Sequence, residues 1–236
     1  MLAHRTQGKE LPKGADAAWD AAVGIASSLV PRRTHFLRQA RQVVALEADY
    51  VDLPDDRLRE ITGEFRDLFR CGRDTHQDLL RAFAVVREIA FRQIGERPFE
   101  VQVAGALSLH AGCITEMATG EGKTLTATMP AAVAGWQGKG CHIITVNDYL
   151  AQRDAEWMGR IYNFCGLTCA HIDGEMDPPG RRSAYRADIT YCTNKEVTAD
   201  FLRDRLALGR LRGLSSALLA KIADGAGSGT DRVVQR

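Results

Sequence analysis

Residues 117–124, Met-Ala-Thr-Gly-Glu-Gly-Lys-Thr, crowd two glycines, an ammonium and a hydroxyl into one short stretch. Glycines at 120 and 122 let backbone N–H groups turn inward with no Cβ between them and an approaching anion. The apolar pattern after Lys123 predicts a helix starting there, so its free N–H groups and positive dipole end face the same point. Lys123 has the length to reach the β and γ phosphates of a nucleotide, and the Thr124 hydroxyl is a ligand for Mg²⁺. The chemistry is that of a phosphate cradle. The common pattern asks for glycine five residues before Gly122, where this chain has Met117. The Thr-Gly-x-Gly-Lys-Thr form marks a subclass of such loops.

Gln102 lies twenty-one residues before Lys123, within Arg97-Pro98-Phe99-Glu100-Val101-Gln102. A side-chain amide both donates and accepts, so one glutamine can grip two edges of adenine. Its distance from the loop is that of an adenine-reading element.

Positioning such a loop needs a strand before it and a helix after it. Short apolar runs at 113–117, 142–146, 167–172 and 188–192 predict strands, each followed by a helical stretch, at about 123–135, 148–164, 177–186 and 195–208. Alternation of this kind implies an α/β fold with a parallel sheet and helices packed on it. Residues 34–95 read as helical instead. Phe36, Leu37, Val43, Val44 and Leu46 mark one helix; Leu58, Ile61, Phe65, Leu68 and Phe69 mark a second. That second helix starts at Leu53-Pro54-Asp55-Asp56, and a third opens at Asp74-Thr75 and ends at Gly95 and Pro98. The expected division is a loosely ordered lead over 1–33, a helical segment over 34–95, a P-loop core over 96–210, and a helix with a Gly-rich tail over 211–236.

Composition narrows the function. Thirty-one Lys and Arg against thirty Asp and Glu leave a formal charge of +1, where a dedicated nucleic-acid binder is usually far more basic. No apolar run reaches the roughly 18 residues that span a bilayer. Residues 21–30 imitate a signal peptide only faintly, so the expected compartment is the cytosol. Of six cysteines only Cys165 and Cys169 are close, with His171 beyond them, which is not the tight pairing of structural zinc. They read as reduced, packed thiols.

Four blocks make the chain resemble the SecA family, the ATPase motor that drives preproteins through the bacterial translocation channel. They are Arg-Pro-Phe-Glu-Val-Gln (97–102), the run from Glu116 to Thr128 around the loop, Thr-Val-Asn-Asp-Tyr-Leu-Ala-Gln-Arg-Asp (145–154) and Ala-Asp-Ile-Thr-Tyr-Cys-Thr-Asn (187–194), followed by Phe201-Leu202-Arg203-Asp204. The similarity runs from about Phe36 to Asp204, nearly three-quarters of the chain. It implies part of a RecA-like P-loop sheet, parallel and with helices on both faces, behind a helical lead. It also implies ATP or ADP with Mg²⁺ as cofactors. Gln102, Gly120, Glu121, Gly122, Lys123 and Thr124 would bind the nucleotide, and Thr124 the metal. The partners implied are a protein-conducting channel and preprotein, with a membrane surface open as a third and no nucleic acid. The place implied is the cytoplasmic side of the inner membrane, peripherally bound. Residues 145–154 resemble the family's next motor motif, where capping and functional roles for the charged residues stay open. Lys195 stands where the family more often has Asn.

Hydrolysis in this motor class needs two carboxylates, one holding Mg²⁺ and one orienting water, supplied by an Asp-Glu pair on the next buried strand. The chain contains no Asp-Glu dipeptide. The expectation is therefore nucleotide binding without turnover, catalytic residues none, and marginal stability from a sheet left with open edges. Two alternatives stand beside it: a fragment of a nucleic-acid helicase, and a non-hydrolysing interaction module working through residues 34–95.

Overall fold

The structure is a computed structural model that describes Trp19 and residues 32–210; for residues 207–210 it describes the backbone alone. The expectations for the lead and for the tail from 211 onward fall outside the described residues.

Five helices come first. Helix α1 (Arg32–Leu46) buries Ala40 and Val43 and runs into a 3₁₀ turn at Glu47–Asp49. Helix α2 (Asp55–Arg70) starts after an extended Pro54, with Asp55 and Asp56 at its positive end, and buries Leu58, Thr62, Phe65 and Phe69 along one face. Helix α3 (His76–Ile94) opens on a capping box: Thr75 accepts from Asp78 N, and the Asp78 carboxylate takes the Thr75 N–H. Gly95 ends α3 in the left-handed conformation at φ 74°. Every residue from Ala82 to Ala90 is buried, so α3 is the central post rather than a surface helix. Helix α4 (Glu100–His110) follows at once and packs on α1 and on α5 (Lys123–Trp136).

The sheet comprises β1 (Cys141–Thr145), β2 (Cys169–His171) and β3 (Ile189–Thr193), in the order β1-β3-β2 and all parallel. Cys141 pairs with Ile189 and Thr145 with Thr193 on one side; Cys169 pairs with Ile189 and His171 with Tyr191 on the other. Helices α6 (Asp148–Phe164), α7 (Pro178–Tyr185) and α8 (Asn194–Arg210) alternate with the strands. All five residues of β3 are buried, as a central parallel strand requires when both faces are covered. Ile189 and Tyr191 face α6, where the Tyr191 and Tyr162 hydroxyls meet at 3.2 Å. Thr190 and Cys192 face the opposite side, where the Thr190 hydroxyl donates to the Ala184 carbonyl at 2.9 Å. The α/β fold with helices on both faces of a parallel sheet is thus present.

One expected strand is absent. Residues 113–118 form neither helix nor strand and join no ladder among the described residues. A strand needs a neighbour whose carbonyls and N–H groups match its own. Here the Cys113 N–H meets the Ser108 carbonyl at the end of α4, the Thr115 hydroxyl meets that of Ser108, and Ile114 is fully exposed. The segment lies along α4 instead.

Trp136, fully buried at the end of α5, ties the helical segment to the sheet. Its ring lies 5.7 Å from Phe65 and 6.1 Å from Phe69, and its Nε1 donates to the Cys165 carbonyl at 3.1 Å. One hydrophobic cluster accordingly runs from Ala40 to Tyr191. The six cysteines are free; burial pushes the Cys169 thiol up to about 12 and Cys165 higher still, so both are inert packing groups.

Candidate functional site

The loop between residues 118 and 122 is exposed, and both its glycines carry positive φ, 86° at Gly120 and 75° at Gly122. Around Gly120 there is open space, so its backbone can approach a ligand. Gly122 is different. A Cβ there would collide with the Gln102 amide nitrogen. Gly122 is also the N-cap of α5, and no side chain caps that helix. The first N–H groups of α5 have no intrahelical carbonyl to meet, so they remain available to an anion.

Side chains close the loop on itself. The Glu121 carboxylate accepts from the Ala118 N–H at 3.0 Å, and Lys123 Nζ donates to the Ala118 carbonyl at 3.0 Å. Glu121 thus braces the turn, while Lys123 lies folded over it with one anchor to give up. The Thr124 hydroxyl donates to Asp154 Oδ2 at 3.3 Å, and Asp154 Oδ1 accepts from Arg153 Nη2 at 2.6 Å and Nε at 2.9 Å.

Gln102 sits beneath the loop and is 6% exposed, so it is no solvated helix residue. At the third position of α4 its Oε1 accepts from the Phe99 N–H at 2.8 Å, half of a capping box. Its Nε2 donates to the Glu121 carbonyl at 2.8 Å. One N–H and one lone pair of the amide remain uncommitted. Gln102 therefore joins α4 to the phosphate loop, and this staple had no sequence signal beyond the spacing.

Behind Gln102 lies a buried ion network. Arg87 Nε donates to the Pro98 carbonyl at 2.6 Å, fixing the turn that leads into Phe99. The Arg87 guanidinium also pairs with Glu47, and Arg97 bridges Glu47 at 2.6 Å and Glu88 at 3.1 Å. Burial first, and the Arg97 charge second, lower the Arg87 pKa below its usual range. The helical segment thus holds the turn that presents Phe99 and Gln102.

The structure brings together Gln102, Gly120, Glu121, Gly122, Lys123 and Thr124, and adds Asp154. In residues 145–154 the roles separate. Asn147 caps α6 through Leu150 N, and Asp148 accepts from Gly174 N, whereas Asp154 reaches the loop. A signal existed: Ala151, Asp154, Ala155 and Met158 occupy the buried stripe of α6, so Asp154 is a carboxylate on an apolar face. No group of three or more His, Cys, Asp or Glu side chains poised for a metal occurs among the described residues. Any cation here would rest on Thr124 and on oxygens brought by the ligand, which suits Mg²⁺.

Residues 26–228 match the SecA DEAD-like domain family. The chain belongs to that family. It is 48% identical over 188 residues to protein translocase subunit SecA 1 of Thermobifida fusca, covering 80% of this chain and 19% of that protein. It is 50% identical over 167 residues to protein translocase subunit SecA 1 of Corynebacterium diphtheriae, covering 71% of this chain and 20% of that protein. Against protein translocase subunit SecA of Frankia casuarinae the figures are 53% over 169 residues, 71% and 17%. The chain spans about a fifth of the length of these relatives.

Proposed function

We propose that this chain is the ATP-binding front part of a SecA-like motor, holding nucleotide phosphates at Gly120–Thr124. The observation that carries the reading is the loop itself: two left-handed glycines, an uncapped helix start, and Lys123 tied only to a carbonyl of its own turn. Bound ATP or ADP would bring phosphate oxygens and a Mg²⁺ that polarises them. The α5 N–H groups and Lys123 would hold the phosphates, and Thr124 would offer its oxygen to the metal. The uncommitted N–H and lone pair of Gln102 would meet adenine. Glu121 would keep the turn closed.

By kinship with translocase subunits, the partners are a protein-conducting channel and preprotein, met at the cytoplasmic face of the inner membrane by peripheral association. No helix among the described residues is long and apolar enough to cross a membrane. The near-neutral formal charge of +1 favours protein over nucleic acid as cargo.

Lacking an Asp-Glu pair, residues 1–236 bind nucleotide without turning it over. Phosphate release from Mg-ATP should stay at background both for this chain and for Lys123→Ala. Turnover abolished by Lys123→Ala would contradict that clause. Tight, salt-sensitive binding of single-stranded RNA would move the chain to the nucleic-acid motors.

A further inference from the structure

The geometry assigns to Asp154 the role of positioning residue for the divalent cation, acting through the Thr124 hydroxyl. The inference rests on the nucleotide reading above. A threonine hydroxyl has one proton and two lone pairs, and it binds a cation only through a lone pair. Left to rotate, the proton competes for the direction in which the metal lies. Here Thr124 Oγ1 donates to Asp154 Oδ2 at 3.3 Å, so the proton points toward α6 and the lone pairs are left for the phosphate side.

Three features make Asp154 a built partner rather than an accidental one. It is 5% exposed, so water does not replace it freely at Thr124. Its other oxygen, Oδ1, is held by the two Arg153 donors at 2.6 and 2.9 Å, which fixes the plane of the carboxylate. Its backbone lies on the stripe of α6 that packs into the core, with Ala151, Ala155 and Met158. The same residue is not needed to close the loop, which Glu121, Lys123 and Gln102 already do. Its one link to the loop is the residue that would touch the metal. Groups that orient a metal ligand in this way typically set affinity for the metal by roughly 10- to 100-fold.

The test is calorimetric titration of the 1–236 chain with ADP, once with Mg²⁺ and once with EDTA. Mg²⁺ should tighten ADP binding to the unaltered chain. In Asp154→Asn the gain from Mg²⁺ should shrink by roughly tenfold or more while the affinity in EDTA stays the same. Thr124→Val should show the same loss, the double variant no further loss, and Thr124→Ser should retain the gain. If Asp154→Asn does not melt cooperatively, Asp154→Glu carries the test. It keeps the charge, moves the carboxylate by one methylene, and should lose part of the Mg²⁺ gain. An unchanged gain in either variant overturns the assignment. A loss of equal size in EDTA overturns it too, since that would mark a merely structural role. Failure of the unaltered chain to bind ADP under both conditions would instead overturn the nucleotide reading, and this inference with it.

Discussion

The Gln102 side-chain amide fills the space in which a Cβ on Gly122 would lie, and from that position it donates to the Glu121 carbonyl at 2.8 Å. The phosphate loop is therefore shaped from outside, by a helix residue twenty positions before Gly122. Through Phe99 and Pro98 the same amide connects to Arg87 on α3. A motif recognisable from eight residues depends for its conformation on helices that share none of its sequence signal.

Gly122→Ala should cost about 1–3 kcal/mol, because it sets an L side chain at φ 75° and drives it into Gln102. Gln102→Ala removes the obstacle but strands the Phe99 N–H and the Glu121 carbonyl. The double variant should accordingly cost less than the sum of the two singles. Urea melts of the four proteins give the coupling.

Trp136→Ala should destabilise the chain by about 3–5 kcal/mol, a large part of a domain's total stability. The residue is fully buried between Phe65, Phe69 and the Cys165 carbonyl. Trp136→Phe keeps an aromatic ring there but loses the donor and part of the ring volume, so the unpaired carbonyl, at about 1–3 kcal/mol, adds to a smaller cavity cost than alanine leaves. If the helical segment merely leaned on the sheet, both variants would melt like the parent in denaturant.

Arg181 knits α7, α8 and the loop after β2 by donating to Asp200 at 2.9 Å, Glu196 at 2.6 Å, the Met176 carbonyl at 3.0 Å and the Asp173 carbonyl at 2.6 Å. Arg181→Met takes the cation from buried Glu196 and leaves Asp200, itself fully buried, with Arg203 alone, and should cost about 3–5 kcal/mol. Loss of cooperativity or a lower urea midpoint would register it.

Acid sensitivity should appear before the carboxylates titrate. Burial lowers the pKa of His142, which packs 5.4 Å from Tyr185, below its ordinary 6.5. A histidine held neutral in the fold binds its proton more readily when unfolded, so stability is complete above about pH 6.5 and falls as pH drops below it. His142→Gln should flatten the slope of unfolding free energy between pH 7 and 5, and an unchanged slope would remove His142 from this account.

Legibility in the sequence followed the range of the interactions. Helix starts at Pro54 and Thr75 and the stop at Gly95 rest on signals within a few residues and stand where the patterns put them, and the strand expected at 188–192 lies one residue later, at 189–193. The run at 113–117 has the composition of a strand but not its neighbour, and strand pairing is a property of two segments. The Gln102 amide is legible as a chemical type in the sequence, yet its burial follows from α4 packing under the loop. Arg87 meets Glu47 forty positions away, and Thr124 meets Asp154 thirty away; such pairs exist only once the helices have packed.

Titration of the 1–236 chain with Mg-ADP, beside Lys123→Ala, tests the central claim most directly. The account predicts saturable one-to-one binding that Lys123→Ala weakens by at least tenfold, in keeping with the loss of a charged phosphate contact, while the two proteins share one melting curve. No binding by the unaltered chain, or binding indifferent to Lys123, would contradict it.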